Sequence, residues 1–564
     1  MQDFEHARPL NPTDQASGGM DAGNHMAAAA AVSRVLGEVV EVSGGDCVCQ
    51  FSEDARFQAM TETGIGSNAA GQMGSFVKIA VGERWVFGVV RALRSSGSGA
   101  GAPLFAEIDF AGEMVPDAQA VAGFSFRRGI TRFPMPGQQC ASATLEDLQA
   151  IFAPTDKPHL VMGTVYPTDV VHASLQIDPL LSRHFAVLGS TGTGKSSTVA
   201  LLIHRLIEQA PHGHVVILDP HDEYGEAFKT NGIKFDTDTL NIPFWLFNFE
   251  EHAELLIGPD NPDFELEADI LNRVLLAARR KGKPQHMVQR ITVDTPVPYL
   301  VSDLLAELNR AMGKLDKPER LSPFLRLKAK LEELKNDPRY SFMFTGVTIT
   351  DDMPDILARL LRFPSEGRPV SVLDLSGVPS DVVEVVVSVL ARLVFDFALW
   401  SRFDGNHPVL LVCEEAHRYV PEDTSQGFRA AKRVLDRIAK EGRKYGVSLG
   451  LVSQRPADIS ESVLSQCGTI IAMRMNNERD QHFVERAMPE GTRGLLGALP
   501  SLRNRECLIV GEGIAAPSRV ALSTLEEDKR PASNDPTFAD AWRAGEAAGD
   551  FLPRVIKRWR MASR

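Results

Sequence analysis

From His184 onward, short and almost wholly apolar runs alternate with longer segments whose apolar residues recur every three or four positions. The runs are HFAVLG, HVVILDP, PVSVLDLSG (369–377), PVLLVCEEA (408–416), VSLGLVSQ (447–454), TIIAMRM (469–475) and ECLIVGEG (506–513). Runs this apolar fit strands covered on both faces, so the pattern predicts an α/β fold with a mostly parallel sheet between helical layers. Two amphipathic stretches, FELEADILNRVLLAARRKG and RLSPFLRLKAKLEELKND, interrupt it and predict a helical insertion at about 250–345. Upstream the pattern is different. RVLGEVVEV, SFVKIAVG, RWVFGVVRAL and LFAEIDFAG are short runs broken by Gly, Ser and Asn, with a flexible hairpin loop at 94–103. Closely spaced strands of this kind predict a small N-terminal β-barrel over 32–165. The α/β core then spans 166–527, between a disordered tail (1–31) without apolar period and a C-terminal extension (528–564) with a basic end.

At 564 residues the chain exceeds one hydrophobic core. No apolar run reaches the roughly eighteen residues of a membrane span, so no membrane association is expected. The N-terminal stretch has no basic start followed by an apolar core, which excludes a secretory signal as its reading. The six cysteines are scattered, and Cys47 and Cys49 form C-x-C rather than a zinc-type pair. Buried thiols in a reducing cytoplasm are the expectation. The balance of 60 basic against 73 acidic residues, net −13, argues against a chain basic all over. It leaves room for a basic channel, because binding depends on local charge.

The chemistry begins in GSTGTGKSS, which places Gly189, four residues, then Gly194, Lys195 and Ser196 between a strand and a helix. This is the spacing of a phosphate-binding loop. Gly189, Thr191, Gly192, Thr193, Gly194, Lys195, Ser196 and Ser197 are the expected nucleotide contacts. Glycines let the backbone amides wrap the phosphates, Lys195 neutralises their charge, and the Ser196 hydroxyl reaches Mg²⁺. VLLVCEEA ends a buried strand in two acids: Glu414 for the metal shell and Glu415 to activate the attacking water. Gln454 closes the strand starting at Val447 and would sense the γ-phosphate if that strand adjoins the acids. GFRAAKRVLDRIAKEGRKYG carries seven Lys or Arg. It reads as a solvated helix face, a nucleic-acid surface, or the donor of an arginine to a nucleotide site. Arg443 near its end, and Arg183 just before the strand leading into the loop, are the candidate arginines. His184, His221 and His417 share no metal-ligand spacing with carboxylates and are read as core or hydrogen-bonding residues.

HFAVLGSTGTGKSSTVALLI, VVILDPHDEYGEAF, VCEEAHRYVP and RIAKEGRKYGVSLGLVSQRPADISESVLSQCGTIIAMRMNNERDQ together resemble the HerA family of RecA-like hexameric translocases. GSFVKIAVGERWVFGVV, RRGITRFPMPG and VMGTVY resemble the HAS-barrel preceding that motor. The resemblance covers roughly residues 32 to 525. It implies a homo-hexamer that hydrolyses ATP with Mg²⁺ and threads double-stranded DNA. It also implies roles in nucleotide sites for Arg183 and Arg443 and a sensor role for Gln454. Asp219, His221 and Glu223 match a DPHGEY-like family segment, with Asp222 where Gly is common. Two functions follow from the resemblance. One is a motor working with a NurA-like nuclease in DNA end processing. The other is a ring scaffold for an antiviral effector, a sirtuin-type NAD⁺-consuming enzyme or a nuclease. In both, the partner docks on the barrel. A membrane-associated NTPase is a weaker third.

Overall fold

A computed structural model describes residues 33–55, 71–97, 102–117, 124–153, 157–258, 261–282, 290–313, 321–344, 351–379, 382–423, 429–488, 493–532, 538–543 and 549–562. The expected N-terminal tail lies outside them.

The first seven strands are β1 (Val35–Val42), β2 (Asp46–Phe51), β3 (Phe76–Val81), β4 (Arg84–Ser95), β5 (Leu104–Pro116), β6 (Phe124–Arg128) and β7 (Gln139–Ser142). They pair in the order β2-β1-β7-β3-β4-β5, and β2 returns to β5, which closes a six-stranded barrel with β6 added outside β5. Closure removes the free edges that strands this short would otherwise expose. Val77, Ile79, Val86, Val90 and Ile108 fill the interior together with the thiols of Cys47, Cys49 and Cys140.

The remaining strands are β8 (His159–Val165), β9 (His172–Gln176), β10 (Phe185–Leu188), β11 (His214–Asp219), β12 (Gly232–Phe235), β13 (Val370–Asp374), β14 (Val409–Cys413), β15 (Val447–Ser453), β16 (Thr469–Met473), β17 (Glu506–Gly511) and β18 (Ser518–Leu522). They form one sheet in the order β12-β13-β11-β14-β15-β10-β16-β17-β18-β8-β9. The strands from β12 to β16 in this order run parallel, and the last four are antiparallel. Every residue of β10, β13, β14 and β15 is buried, as their unbroken apolar runs require. Among the described residues five α-helices, Phe249–Leu256, Phe264–Gly282, Val301–Met312, Ser322–Asn336 and Met353–Leu361, occupy the connection between β12 and β13. Arg392 ties the first of them to the sheet's helical layer through Glu251 at 2.9 Å.

One boundary differs from the sequence reading, which ended the barrel at 165. Strand β8 pairs with β18 and β9 and belongs to the large sheet. The seam therefore falls in the short stretch after the helix Leu145–Ile151, whose capping box joins Thr144 and Asp147. Across the seam, Arg128 at the end of β6 donates to the carbonyls of Ala515, at 3.0 Å, and Gly511.

A steric prediction follows from Gly450, which lies opposite Phe185 where β15 pairs with β10. A Cβ there would stand 2.6 Å from the Phe185 ring. Gly450→Ala is expected to lower unfolding stability by about 1–3 kcal/mol in denaturant titration. An unchanged midpoint would show that the ring yields freely.

Candidate active site

The loop after β10 turns through Gly192 and Gly194, at φ 74° and 99°, conformations that side chains resist. Gly189 lies so close to β16 that a Cβ would meet that of Met473 at 2.8 Å. The helix Lys195–Gln209 then starts from Gly194 with no side chain capping its first amides, which leaves them for an anion. Across the loop, the Thr193 hydroxyl and the Lys195 ammonium both donate to the Ser190 carbonyl, at 2.8 and 3.1 Å. Burial pushes the Lys195 pKa down, and Glu414, Glu415 and Glu223 oppose that shift.

Strand β15 sits between β10 and the acid strand β14, with Leu188 paired to Ser453 and Cys413 to Leu451. Gln454 is thereby held between the two expected centres. Its amide oxygen accepts from the Thr191 hydroxyl, and its Nε2 donates to Glu415 Oε1 at 2.8 Å. Glu415 has φ 53°, a costly backbone for a non-glycine residue and a mark of functional sites. Its Oε2 is buried and accepts no hydrogen bond, although His417 Nδ1 lies 3.2 Å away. Burial raises the Glu415 pKa, and nearby His221 and Lys195 pull it back. A carboxylate raised in this way is a stronger base.

The acid expected at the metal is placed differently. Glu414 accepts from the Tyr224 hydroxyl at 2.6 Å, and burial pushes its pKa up to about 8. The Ser196 hydroxyl instead meets Glu223. Glu223 arrives because β11 adjoins β14 and because Asp219 gathers the following turn. Asp219 accepts the backbone N–H groups of His221, Glu223 and Tyr224 at 3.3, 3.2 and 2.9 Å. Asp222 has φ 56°, and Lys234 anchors its carboxylate at 2.6 Å. Asp is among the few residues that tolerate this conformation. Sequence reasoning gave Glu223 no role. The available signal was an acid in the turn after a buried strand, four residues beyond Asp219. Among the described residues no group of three or more His, Cys, Asp or Glu side chains holds a metal by itself. The hard oxygens of Ser196, Glu223 and Glu414 suit Mg²⁺, which usually takes few protein ligands and completes its shell with phosphates and water.

Arg183 and Arg443 are not brought to this cluster. Arg183 precedes β10 and pairs with Glu512 at 2.6 Å. Arg443 lies near the end of the helix Arg429–Tyr445, just before β15, and lines a groove of about 700 Å³ beside the amino ends of the strands. Strand β15, Val447–Ser453, separates that edge from the phosphate loop by about 20 Å at 3.3 Å per residue. On the same helix Arg433, Arg437 and Lys440 pair with Glu250, Glu441 and Asp436. Arg443 makes no ion pair among the described residues. His184 is buried between these parts. Its Nδ1 accepts from Leu449 N–H at 2.9 Å, so Nε2 carries the proton that is donated to the Ala439 carbonyl at 3.0 Å. It is a core histidine, as expected, whereas His221 and His417 border Glu415.

Residues 160–394 match the central domain of helicase HerA. A DNA double-strand break repair helicase HerA from Pyrococcus furiosus is 30% identical over 480 residues, covering 76% of this chain and 78% of that protein. The chain belongs to the HerA helicase family. It is an ATP-hydrolysing enzyme of the helicase and translocase class. Its counterpart from Sulfolobus acidocaldarius is 27% identical over 426 residues, 73% of this chain and 77% of the relative. Among solved structures, VirB4 of Thermoanaerobacter pseudethanolicus aligns with a TM-score of 0.49 at 19% identity, over 66% of this chain and 98% of that one. The family match starts at 160, beside the first residue of β8. Among the described residues no helix is long and apolar enough to cross a membrane.

The raised Glu414 pKa has a consequence for stability. A carboxyl whose folded pKa lies near 8, above its ordinary 4.5, stabilises the fold below pH 4.5, and that contribution is lost as pH rises through 8. Glu414→Gln copies the protonated form. In nucleotide-free thermal melts it should gain on the unaltered chain as pH rises from about 5 to 9. Parallel melting curves across that range would show that Glu414 is ionised throughout.

Proposed function

We propose that this chain is an ATP-driven motor that moves double-stranded DNA as a homo-hexameric ring. The observation that carries the reading is Gln454, bonded at once to the phosphate loop through Thr191 and to the buried acid Glu415. In this reading Lys195 offsets the charge of the β- and γ-phosphates of ATP. Ser196, Glu223 and Glu414 hold Mg²⁺, which when bound neutralises charge developing on the transferred phosphoryl group. Glu415 takes the proton of the attacking water through Oε2, and Gln454 registers the departure of the γ-phosphate. Loss of that phosphate alters the bonds of Thr191 and Gln454 and so passes to β15 and the basic helix before it.

The arginines complete the reading. The roughly 20 Å length of β15 between Arg443 and its own phosphate loop supports a role for Arg443 at the loop of an adjacent subunit. Arg183 lies at the same edge of the sheet and takes the same direction. Hydrolysis then depends on ring closure. The basic helix offers a duplex-facing surface in the assembly, which reconciles DNA binding with a net charge of −13. The barrel serves as the platform for a partner, a NurA-like nuclease or an antiviral effector, in DNA end processing or defence.

Glu415→Gln should keep ATP binding and lose turnover by about 10²-fold or more, as expected of a positioned base. In the same preparation, duplex binding should be sequence-tolerant and fall steeply from low to physiological salt. Wild-type turnover by Glu415→Gln would remove the acid from its role, and salt-independent or strongly sequence-selective binding would remove the translocating channel.

Mixed rings test the arginine. Lys195→Ala and Arg443→Ala subunits, each inactive alone, should regain ATPase activity when co-assembled, because some interfaces pair an intact Lys195 with an intact Arg443. An arginine finger contributes about 10³–10⁵ in rate, so the rescue is readily measured. Absence of rescue in confirmed mixed rings would overturn the assignment.

A further inference from the structure

Consecutive residues at the start of the phosphate-loop helix point about 100° apart. Ser196 is turned to Glu223, on the side of the acids. Ser197 is turned away, and there a cleft of about 320 Å³ opens, bounded on the helix side by Gly194, Ser197, Thr198 and Leu201. Its opposite wall is made by Arg505, Thr524, Leu525 and Arg530. A triphosphate seated on the loop with its γ end toward Glu223 and Glu415 must send its nucleoside the other way, into this cleft. The volume is within the roughly 300–1,000 Å³ usual for small-molecule sites.

The far wall is a strap. After β18 the segment 523–532 crosses the opening instead of leaving the molecule. Ser523 N–H donates to the Met162 carbonyl at 2.9 Å, and Ala532 N–H donates to the carbonyl of Glu223 at 2.8 Å. Two guanidinium groups are fixed on it by one edge each. Arg505 Nη1 donates to the Thr524 hydroxyl at 2.8 Å, and Arg530 Nε donates to the Leu525 carbonyl at 2.9 Å. Arg505 takes φ 67° to do so, a strained choice for an arginine. A planar guanidinium stacks on an aromatic base and donates to its ring nitrogens.

We infer that this cleft is the nucleoside subsite of the enzyme, with Arg505 and Arg530 holding the base and the strap closing over the ribose. The inference rests on the phosphate-loop reading above. It also sets base selectivity. Among the described residues no carboxylate or carboxamide side chain lines the cleft, so no side chain there offers the two-pronged hydrogen bond that would single out adenine from guanine. Discrimination between ATP and GTP should therefore stay within about tenfold, far from the 10⁴–10⁵ of sites built to hydrogen-bond one partner. Because the strap ends on the Glu223 carbonyl, filling the cleft also steadies the turn that presents Glu223 to Ser196.

The test separates base from phosphates. Steady-state ATPase is measured with ATP, with GTP, and with inorganic tripolyphosphate as competitor, for the full chain and for Arg505→Ala, Arg530→Ala and the double variant. Nucleotide-free melting verifies that each variant is folded. The double variant should raise the KM for ATP by about tenfold or more, with inhibition by tripolyphosphate unchanged. Arg505→Lys and Arg530→Lys keep the charge but lose the plane and should recover little. An unaltered KM in the double variant, or an equal loss of tripolyphosphate inhibition, would overturn the subsite. So would a preference for ATP over GTP beyond about a hundredfold. Failure of tripolyphosphate to compete in the unaltered enzyme would instead count against the phosphate-loop reading.

Discussion

The structure depends on one strand, β15, standing between the strand of the phosphate loop and the strand of the acids. Its pairing with both neighbours fixes three chain ends in a row at the carboxyl edge of the sheet. Because the three strands are fully buried, their positions cannot slip without exposing a core face. Gln454 therefore has one place to be, between Thr191 and Glu415. A contact between the loop and the acid is then a property of the sheet, not of flexible side chains.

Such an arrangement is costly to the fold. Lys195, Glu414 and Glu415 are all buried, and desolvation is the largest cause of the pKa shift in each. Glu415 and Asp222 also sit in left-handed backbone conformations. The surrounding sheet holds these features in place: β14 and β15 are buried throughout, and Asp219 spends its carboxylate on three backbone amides to shape the turn. Strain and buried charge brought together where phosphates would bind are what a preorganised electrostatic site requires.

The opposite edge of the sheet is organised around the barrel seam. Arg128 of the barrel bonds the carbonyls of Gly511 and Ala515, and Glu512 between them holds Arg183. The barrel is thus two contacts away from an arginine that the proposed ring would place at a subunit boundary.

Much of this was legible in the chain. The phosphate loop, the double acid, the parallel strands and the helical insertion rest on spacing and periodicity, which are local properties of the sequence. The family resemblance followed from the same segments. What was not legible depended on which distant segments become neighbours. Strand β8 has the short, broken pattern of the barrel strands because it is antiparallel near a sheet edge, and only its pairing with β18 assigns it to the motor. Glu414 was the acid expected in the metal shell, and it is the placement of β11 beside β14 that brings Glu223 to Ser196 and Tyr224 to Glu414. The strap, with Arg505 and Arg530, carries no motif at all. The sequence by itself determined the chemistry available, because a loop, a strand end or a capped turn is specified within a few residues. Only the tertiary structure decided which carboxylate meets which hydroxyl and what walls the cleft. Those contacts are set by strand order and chain return across hundreds of residues, where packing decides and local preference is silent.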